Sequence, residues 1–298
     1  MTELRKIMRT RINSGPTFFM AGAQDALSAL LVDQSDFDGV FTTGFGIAAS
    51  LLGQPDVELY TLTENLGVVN RISNIVKKPI VSDADTGYGN VINVARTVRE
   101  FEKTGVAAIT LEDQFSPKRC PAAATSMSVI PVRDAVAKIR AAVDARQDPD
   151  FMIVARTDAV DPSEALDRAA QYAEAGADLV QPISRTFKGY DDLVKLKAVS
   201  GRRLSLQLMQ GTWMAKLSRE QIESVAAFAT YPVVSLMTIT HALQENLRVL
   251  AARRNGDVDG LPCGQTTMPD FKQVIGWKAI EERQAYYELG AAPLKRAA

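Results

Sequence analysis

The run DADTGYGN at residues 83–90 sets two carboxylates, Asp83 and Asp85, two positions apart just ahead of a glycine-flanked turn. Residues i and i+2 of a strand face one way, so the pair can converge on one hard divalent cation, which takes oxygen ligands. Gly87 and Gly89 then let the backbone turn tightly. An Asx-capped turn uses the same residue types, and this run alone leaves both readings open. A second run, LEDQFSPKRC at 111–120, carries Glu112 and Asp113 and ends on Cys120, preceded by Lys118 and Arg119. Neighbouring positive charge favours a thiolate, which makes Cys120 a candidate proton donor or acceptor on a loop rather than an inert core thiol.

The rest of the composition removes competing chemistries. His241 is the only histidine and sits in a helical pattern, THALQENLRVLAARR, so a histidine-ligated zinc site is not expected. No G-x-S-x-G turn is present to support a serine triad. A net charge of −1 with a pI near 6.0 supplies no basic field for nucleic acid or for a membrane surface. Two cysteines, Cys120 and Cys263, are too few for a disulfide framework, and a cytoplasmic protein is expected. The first 15 residues alternate basic and apolar side chains, which reads as an amphipathic surface helix and not as a signal peptide, and no apolar run is long enough to span a bilayer.

Elements must hold these groups together. Eight short apolar runs alternate with helical segments, at 16–23, 39–44, 78–85, 107–113, 151–157, 178–184, 203–209 and 232–236. Such alternation predicts parallel strands joined by helical crossovers, and eight units predict an α/β fold closed as a (β/α)8 TIM barrel. Thr43, Asp83, Asp85, Glu112, Arg156, Gln181 and Gln207 fall at the C-terminal ends of the predicted strands, the rim where barrel enzymes carry their sites. Residues 1–298 read as one barrel domain with a C-terminal helical extension from about residue 255. A Gly- and Pro-containing loop at 255–270 leads to a helix at 271–290, whose Ile275, Trp277 and Tyr286 must pack on a neighbouring subunit or on their own barrel.

Taken together, DADTGYGN, LEDQ-x-x-PKRC and VARTDA at 154–159 resemble the isocitrate lyase/phosphoenolpyruvate mutase superfamily. AGAQDALSALL at 21–31, GQPD at 53–56 and the Tyr231-Pro232 pair extend the resemblance over most of the chain, to about residue 240. The resemblance implies a barrel whose C-terminal helix is exchanged between subunits, as a homotetramer or dimer, with Mg2+ or Mn2+ as cofactor and a small organic acid as substrate. It also implies that Asp83 and Asp85 hold the metal directly or through water, with Asp56 and Glu112 in its outer shell. Thr43 and Gly44 align with a Ser-Gly pair that binds the carboxylate of a 2-oxo acid, and Arg156 with a substrate-binding arginine. Gln181 and Gln207 lie at further substrate-binding positions; Cys120, with Lys118 and Glu112, stands at catalytic ones.

The PKRC loop resembles the carbon–carbon lyases of the superfamily, those like methylisocitrate lyase and dimethylmalate lyase, more than the mutases, whose loop carries Asn and Ser where this chain has Cys120. The implied reaction is cleavage of a 2-hydroxy di- or tricarboxylic acid into a 2-oxo acid, such as glyoxylate or pyruvate, and a carboxylate, with Cys120 protonating the second fragment. The chain departs from the lyase pattern where Pro121-Ala122 replaces Gly-His, and where Gln181, Gln207 and Gln210 replace Glu, Asn and Glu. Those departures point to a substrate other than isocitrate or methylisocitrate. They also keep two alternatives open: an oxaloacetate- or phosphonopyruvate-type decarboxylase, hydrolase or mutase, and a non-catalytic barrel that binds oxo acids.

Overall fold

The computed structural model describes residues 2–121 and 127–289. Eight strands, β1 (Phe18–Ala23), β2 (Gly39–Thr42), β3 (Ile80–Asp83), β4 (Ala108–Glu112), β5 (Met152–Arg156), β6 (Leu179–Gln181), β7 (Leu204–Gln207) and β8 (Ala226–Tyr231), form a closed barrel in chain order. All neighbours are parallel, and β8 closes on β1 with Phe18 opposite Phe228 and Ala21 opposite Tyr231. The helices are α1 (Thr2–Ser14), α2 (Ala26–Asp33), α3 (Gly44–Leu52), α4 (Leu62–Ser73), α5 (Val91–Thr104), α6 (Val132–Ala145), α7 (Pro162–Glu174), α8 (Tyr190–Ser200), α9 (Arg219–Val225), α10 (Val234–Arg253), α11 (Met268–Val274) and α12 (Trp277–Leu289). The predicted (β/α)8 TIM barrel is therefore present. Among the described residues no helix is long and apolar enough to cross a membrane.

The strands carry two patterns at once, one across their faces and one along their length. In β5, Ile153 and Ala155 join the cluster that packs beneath the surrounding helices, whereas Met152 and Val154 join the cluster that fills the barrel. Period-2 alternation thus puts Met152, Val154 and Arg156 on the inner face, running from apolar to charged. β4 repeats this with Ala108, Thr110 and Glu112, and β6 with Leu179 and Gln181. The N-terminal end is plugged by apolar side chains, including Met8 and Ile12 of α1, so only the C-terminal end opens into polar side chains. The amphipathic α1 is held there by Arg5, whose Nε donates to Val106 O at 2.9 Å and whose Nη1 pairs with Asp148 at 2.9 Å. Helix ends follow local chemistry: Asn90 caps α5 onto the amides of Ile92 and Asn93, and Thr61 and Glu64 form a capping box on α4.

Two element assignments need correction. The pattern predicts the eighth strand at 232–236, but β8 ends at Tyr231, Pro232 and Val233 form a turn, and α10 opens at Val234. β8 is built of AAFATY, with its first five residues buried. Its small side chains carry little intrinsic strand signal and are held by pairing with β1 and β7, whereas proline has no N–H to extend a ladder. The C-terminal helix predicted at 271–290 is two helices, α11 and α12, separated by Ile275 and Gly276.

The chain divides into two compact units, Met1–Leu236 and Met237–Ala298. In the second unit Leu243, Leu247, Phe271, Trp277, Ile280 and Tyr287 are all exposed. The Asn246 side chain exchanges two hydrogen bonds with the Cys263 backbone, at 2.8 and 3.0 Å.

Closure of β8 on β1 depends on Gly22, where an added Cβ would fall 1.8 Å from Pro232 O. Gly22→Ala is therefore expected to destabilise the protein by about 1–3 kcal/mol or more, because the clash is with backbone that cannot rotate away. Chemical denaturation checks this, with the exposed Ile92→Ala as control; equal midpoints for Gly22→Ala and wild type would contradict the closure described.

Candidate active site

At the open end of the barrel a cavity of about 510 Å³ is lined by Thr43, Asp56, Asp83, Lys118, Cys120, Arg156, Gln181 and Gln207, among others. Gly44, Asp85 and Glu112 lie behind this lining in direct contact with it. The eleven predicted site residues are thus brought to one place, from six strand ends and two loops. Strand register does part of this: Glu112 is paired with Arg156, Arg156 with Gln181, and Asp83 with Thr110.

The two acids of DADTGYGN converge by a different route from the one their spacing suggests. β3 ends at Asp83, and Asp85 lies beyond it with φ +49°, followed by Tyr88 at φ +59°. A left-handed turn, not strand alternation, therefore brings Asp85 back. Left-handed backbone is uncommon outside glycine, and here Asp85 is fixed from several sides. Its Oδ2 accepts from Tyr60 Oη at 2.6 Å and from Tyr88 Oη at 2.9 Å, while Oδ1 faces Lys118 Nζ at 2.9 Å. Asp83 accepts from Asp85 N at 3.2 Å and from Gly44 N at 3.3 Å. Gly44 is required by proximity, since a Cβ there would meet Tyr60 Oη at 2.7 Å and Asp83 Oδ2 at 2.8 Å. Thr43 caps α3, with Gly46 N 3.5 Å from its hydroxyl.

Lys118 reaches into this group and is only 2% exposed. Its Nζ donates to Asp56 Oδ2 at 2.6 Å and pairs with Asp85. The sequence places this cation beside the Cys120 thiol; in the structure its charge is balanced within the acidic group instead. Arg156 is held in the same way, by Glu112 Oε2 at 2.7 Å and Asp158 Oδ1 at 2.7 Å. Gln181 Oε1 accepts from Ser205 at 3.0 Å and from Gln207 Nε2 at 3.2 Å, an uncharged network beside the charged one.

Two cations face five carboxylates here: Asp56, Asp83, Asp85, Glu112 and Asp158. Burial, reinforced by Asp85, pushes the Asp83 carboxyl up to about 6. Burial also raises Asp56 against the pull of Lys118, and lifts Glu112 well above the usual range despite Arg156. Asp85 goes the other way: burial would raise it, but Lys118 and the hydroxyls of Tyr60 and Tyr88 outweigh burial and hold it low. Burial would likewise lower Lys118, yet the surrounding acids, Asp85 foremost, keep it firmly charged.

Among the described residues no three His, Cys, Asp or Glu side chains form a ready-made metal cage. The donor set nevertheless fits a hard divalent cation that keeps part of its water shell. Asp56 Oδ1 and Glu112 Oε1 are buried without a hydrogen-bond partner, and negative charge is in excess. Asp83 and Asp85 could hold such an ion, with Asp56 and Glu112 oriented towards its waters.

Several supporting residues are not singled out in the sequence. Glu58 accepts from Thr86 Oγ1, Ser116 Oγ and Lys118 N at 2.7, 2.7 and 2.9 Å, tying the Cys120 loop to DADTGYGN. Gln114 exchanges two hydrogen bonds with the Arg119 backbone, at 2.8 and 2.9 Å. Tyr88 and Asp158 stand inside runs already quoted, and Glu58 and Tyr60 follow GQPD closely; their roles depend on hydrogen bonds that spacing does not reveal. Cys120 and Pro121 line the cavity, and Ala122 lies outside the described residues.

Known proteins resemble this chain over most of its length. The 2,3-dimethylmalate lyase of Eubacterium barkeri is 37% identical, covering 95% of this chain and 98% of that protein. The 2-methylisocitrate lyase of Shewanella oneidensis is 33% identical over 89% of this chain and 90% of its own length. The crystal structure of phosphoenolpyruvate phosphomutase from Streptomyces platensis subsp. rosaceus superimposes with a TM-score of 0.85 at 28% identity, covering 96% of this chain and 99% of that one. The phosphoenolpyruvate phosphomutase family model matches residues 8–248. A closed barrel with this acidic mouth, matched over nearly its whole length, belongs to the phosphoenolpyruvate mutase/isocitrate lyase superfamily.

Proposed function

We propose that the protein is a divalent-metal-dependent carbon–carbon lyase, cleaving a 2-hydroxy di- or tricarboxylic acid into a 2-oxo acid and a carboxylate. One observation carries this reading: Cys120 lines the same cavity as Arg156, Asp83 and Thr43, so a proton donor and an anion-binding wall share one chamber. The lyase relatives support it.

Arg156 faces the carboxylate of the half that becomes the oxo acid; the buried Glu112 and Asp158 fix its guanidinium plane for a two-point contact. The Gly44 amide and the Thr43 hydroxyl make only long bonds, 3.3 and 3.5 Å, which yield readily to an incoming carboxylate. A carboxylate of the acidic group takes the proton of the substrate hydroxyl, the O–H electron pair forms the C=O bond, and the Cα–Cβ bond breaks. The released electron pair passes into the carboxylate next to Cβ, and the Cys120 thiol delivers a proton to Cβ. Mg2+ or Mn2+, held by Asp83 and Asp85 with Asp56 and Glu112 around its waters, would supply Lewis acidity to the oxo acid oxygens. Lys118 ties the segment that carries Cys120 to the metal-binding acids, which keeps the donor at the wall of the chamber. The uncharged Gln181 and Gln207 contact the substrate without adding to the negative charge.

A cytoplasmic enzyme fits two cysteines that form no disulfide. The exposed Phe271, Trp277, Ile280 and Tyr287 of the C-terminal helices support a homotetramer or dimer assembled through them.

Assays of oxo acid release from a panel of 2-hydroxy acids test the activity. Chelation with EDTA is expected to abolish release, and added Mg2+ or Mn2+ to restore it. Cys120→Ala should lower kcat by about 10²–10⁴-fold while oxalate binding stays within a factor of two; undiminished turnover would remove Cys120 as the donor. A Trp277→Asp, Ile280→Asp double variant should reduce the mass measured by light scattering, and an unchanged mass would place the interface elsewhere.

A further inference from the structure

Asp113 stands directly after Glu112, and the chemistry above gives it no part. It is 3% exposed, and a carboxylate that deep is costly to keep unless it is paired and hydrogen-bonded. Three donors meet on it. From α7, Tyr172 Oη donates to its Oδ2 at 2.6 Å and Arg168 Nη1 at 3.3 Å, the two side chains lying one helical turn apart and both buried. Its Oδ1 accepts from the main-chain N of Asp158 at 2.8 Å.

That last bond leads to the cavity. Asp158 Oδ1 accepts from Arg156 Nη2 at 2.7 Å and from Arg156 Nε at 3.3 Å. Arg156 and Asp158 are two residues apart, so their ion pair orients the guanidinium only if the turn after β5 is itself held. The ladder between β4 and β5 ends at Glu112 opposite Arg156, and the bond from Asp158 N to Asp113 carries the contact beyond it. Asp113 is anchored in turn: its O accepts from Ile130 N at 2.8 Å, and Ile130 O accepts from Arg168 Nη2 at 2.9 Å. A buried relay therefore runs from Arg168 on α7 through Asp113 and Asp158 to Arg156 in the cavity wall.

We propose that Asp113 is a positioning residue for Arg156: its carboxylate holds the Asp158 amide, and through Asp158 it sets the plane in which the Arg156 guanidinium meets a substrate carboxylate. The assignment rests on the proposed function in one respect, that Arg156 binds that carboxylate. Asp113→Asn breaks the link at nearly constant volume. An amide has one acceptor oxygen where three donors converge, and the charged Arg168 draws that oxygen, which turns Nδ2 against the Asp158 N–H. Arg156 holds the carboxylate before and after cleavage, so misdirecting it raises KM more than it lowers kcat.

The test is a double-mutant cycle read by binding. Oxalate is titrated by calorimetry, with Mg2+ present, into wild type, Asp113→Asn, Asp158→Asn and the variant carrying both. Asp113→Asn is expected to weaken oxalate by about tenfold, and by less than about twofold once Asp158→Asn is present, because the second link is then already cut. Mn2+ affinity measured without oxalate should stay within about a factor of two, since Asp83 and Asp85 lie outside the relay. A merely structural role would carry the same oxalate loss into both backgrounds, or weaken Mn2+ in parallel, and either result overturns the proposal. Should Asp113→Asn not fold, an Asp113→Leu, Arg168→Met variant replaces the buried ion pair with apolar side chains, a change that proteins commonly tolerate. It also removes the acceptor for Asp158 N and is held to the same cycle. Turnover is not needed for the result: the expected cycle in a protein that cleaves no hydroxy acid supports Asp113 while the lyase reading fails. A wild type that binds no oxalate removes Arg156 as a carboxylate site and overturns both.

Discussion

The structure at the barrel mouth depends on cations placed among buried carboxylates. Two carboxylates about 4 Å apart repel by on the order of 4 kcal/mol even at an effective dielectric constant near ~20, and burial adds the loss of hydration. Asp56, Asp83, Asp85, Glu112 and Asp158 coexist because Lys118 and Arg156 are inserted between them. The balance is incomplete, as the raised Asp56, Asp83 and Glu112 carboxyls record. An incomplete balance is what a site for a divalent cation requires, since a neutral cluster would have no affinity to spare.

The fold serves this arrangement at several levels. Apolar side chains fill the N-terminal part of the barrel, which leaves the charged row at the other end with one opening. Register sets Glu112 beside Arg156, and a left-handed turn returns Asp85 to Asp83. Glu58 and Gln114 then fasten the segment that carries Lys118 and Cys120.

Much of this was legible in the sequence because barrel strands are short, regularly spaced and polar at one end. Seven strands and the clustering of Asp83, Glu112, Arg156, Gln181 and Gln207 follow from that regularity. β8 escapes it, because AAFATY is held by its neighbours more than by its own side chains, while the valines after Pro232 imitate a strand. Asp83 and Asp85 do converge, but through backbone conformation that an i, i+2 rule does not contain. Lys118 was visible as a cation near Cys120, yet its burial against Asp56 joins segments 62 residues apart and depends on the folded loop. Glu58, Tyr60, Gln114 and Asp158 act through hydrogen bonds to the site residues, and residue type alone does not separate such partners from ordinary surface polar groups.

The central claim, that this acidic group is short of positive charge and takes a divalent cation between Asp83 and Asp85, is tested most directly by Mn2+ titration followed by electron paramagnetic resonance. Wild-type protein is predicted to remove one Mn2+ per chain from the free-ion signal, and Asp85→Asn to remove none at the same concentrations. Equal Mn2+ binding by wild type and Asp85→Asn, or none by wild type, would contradict it.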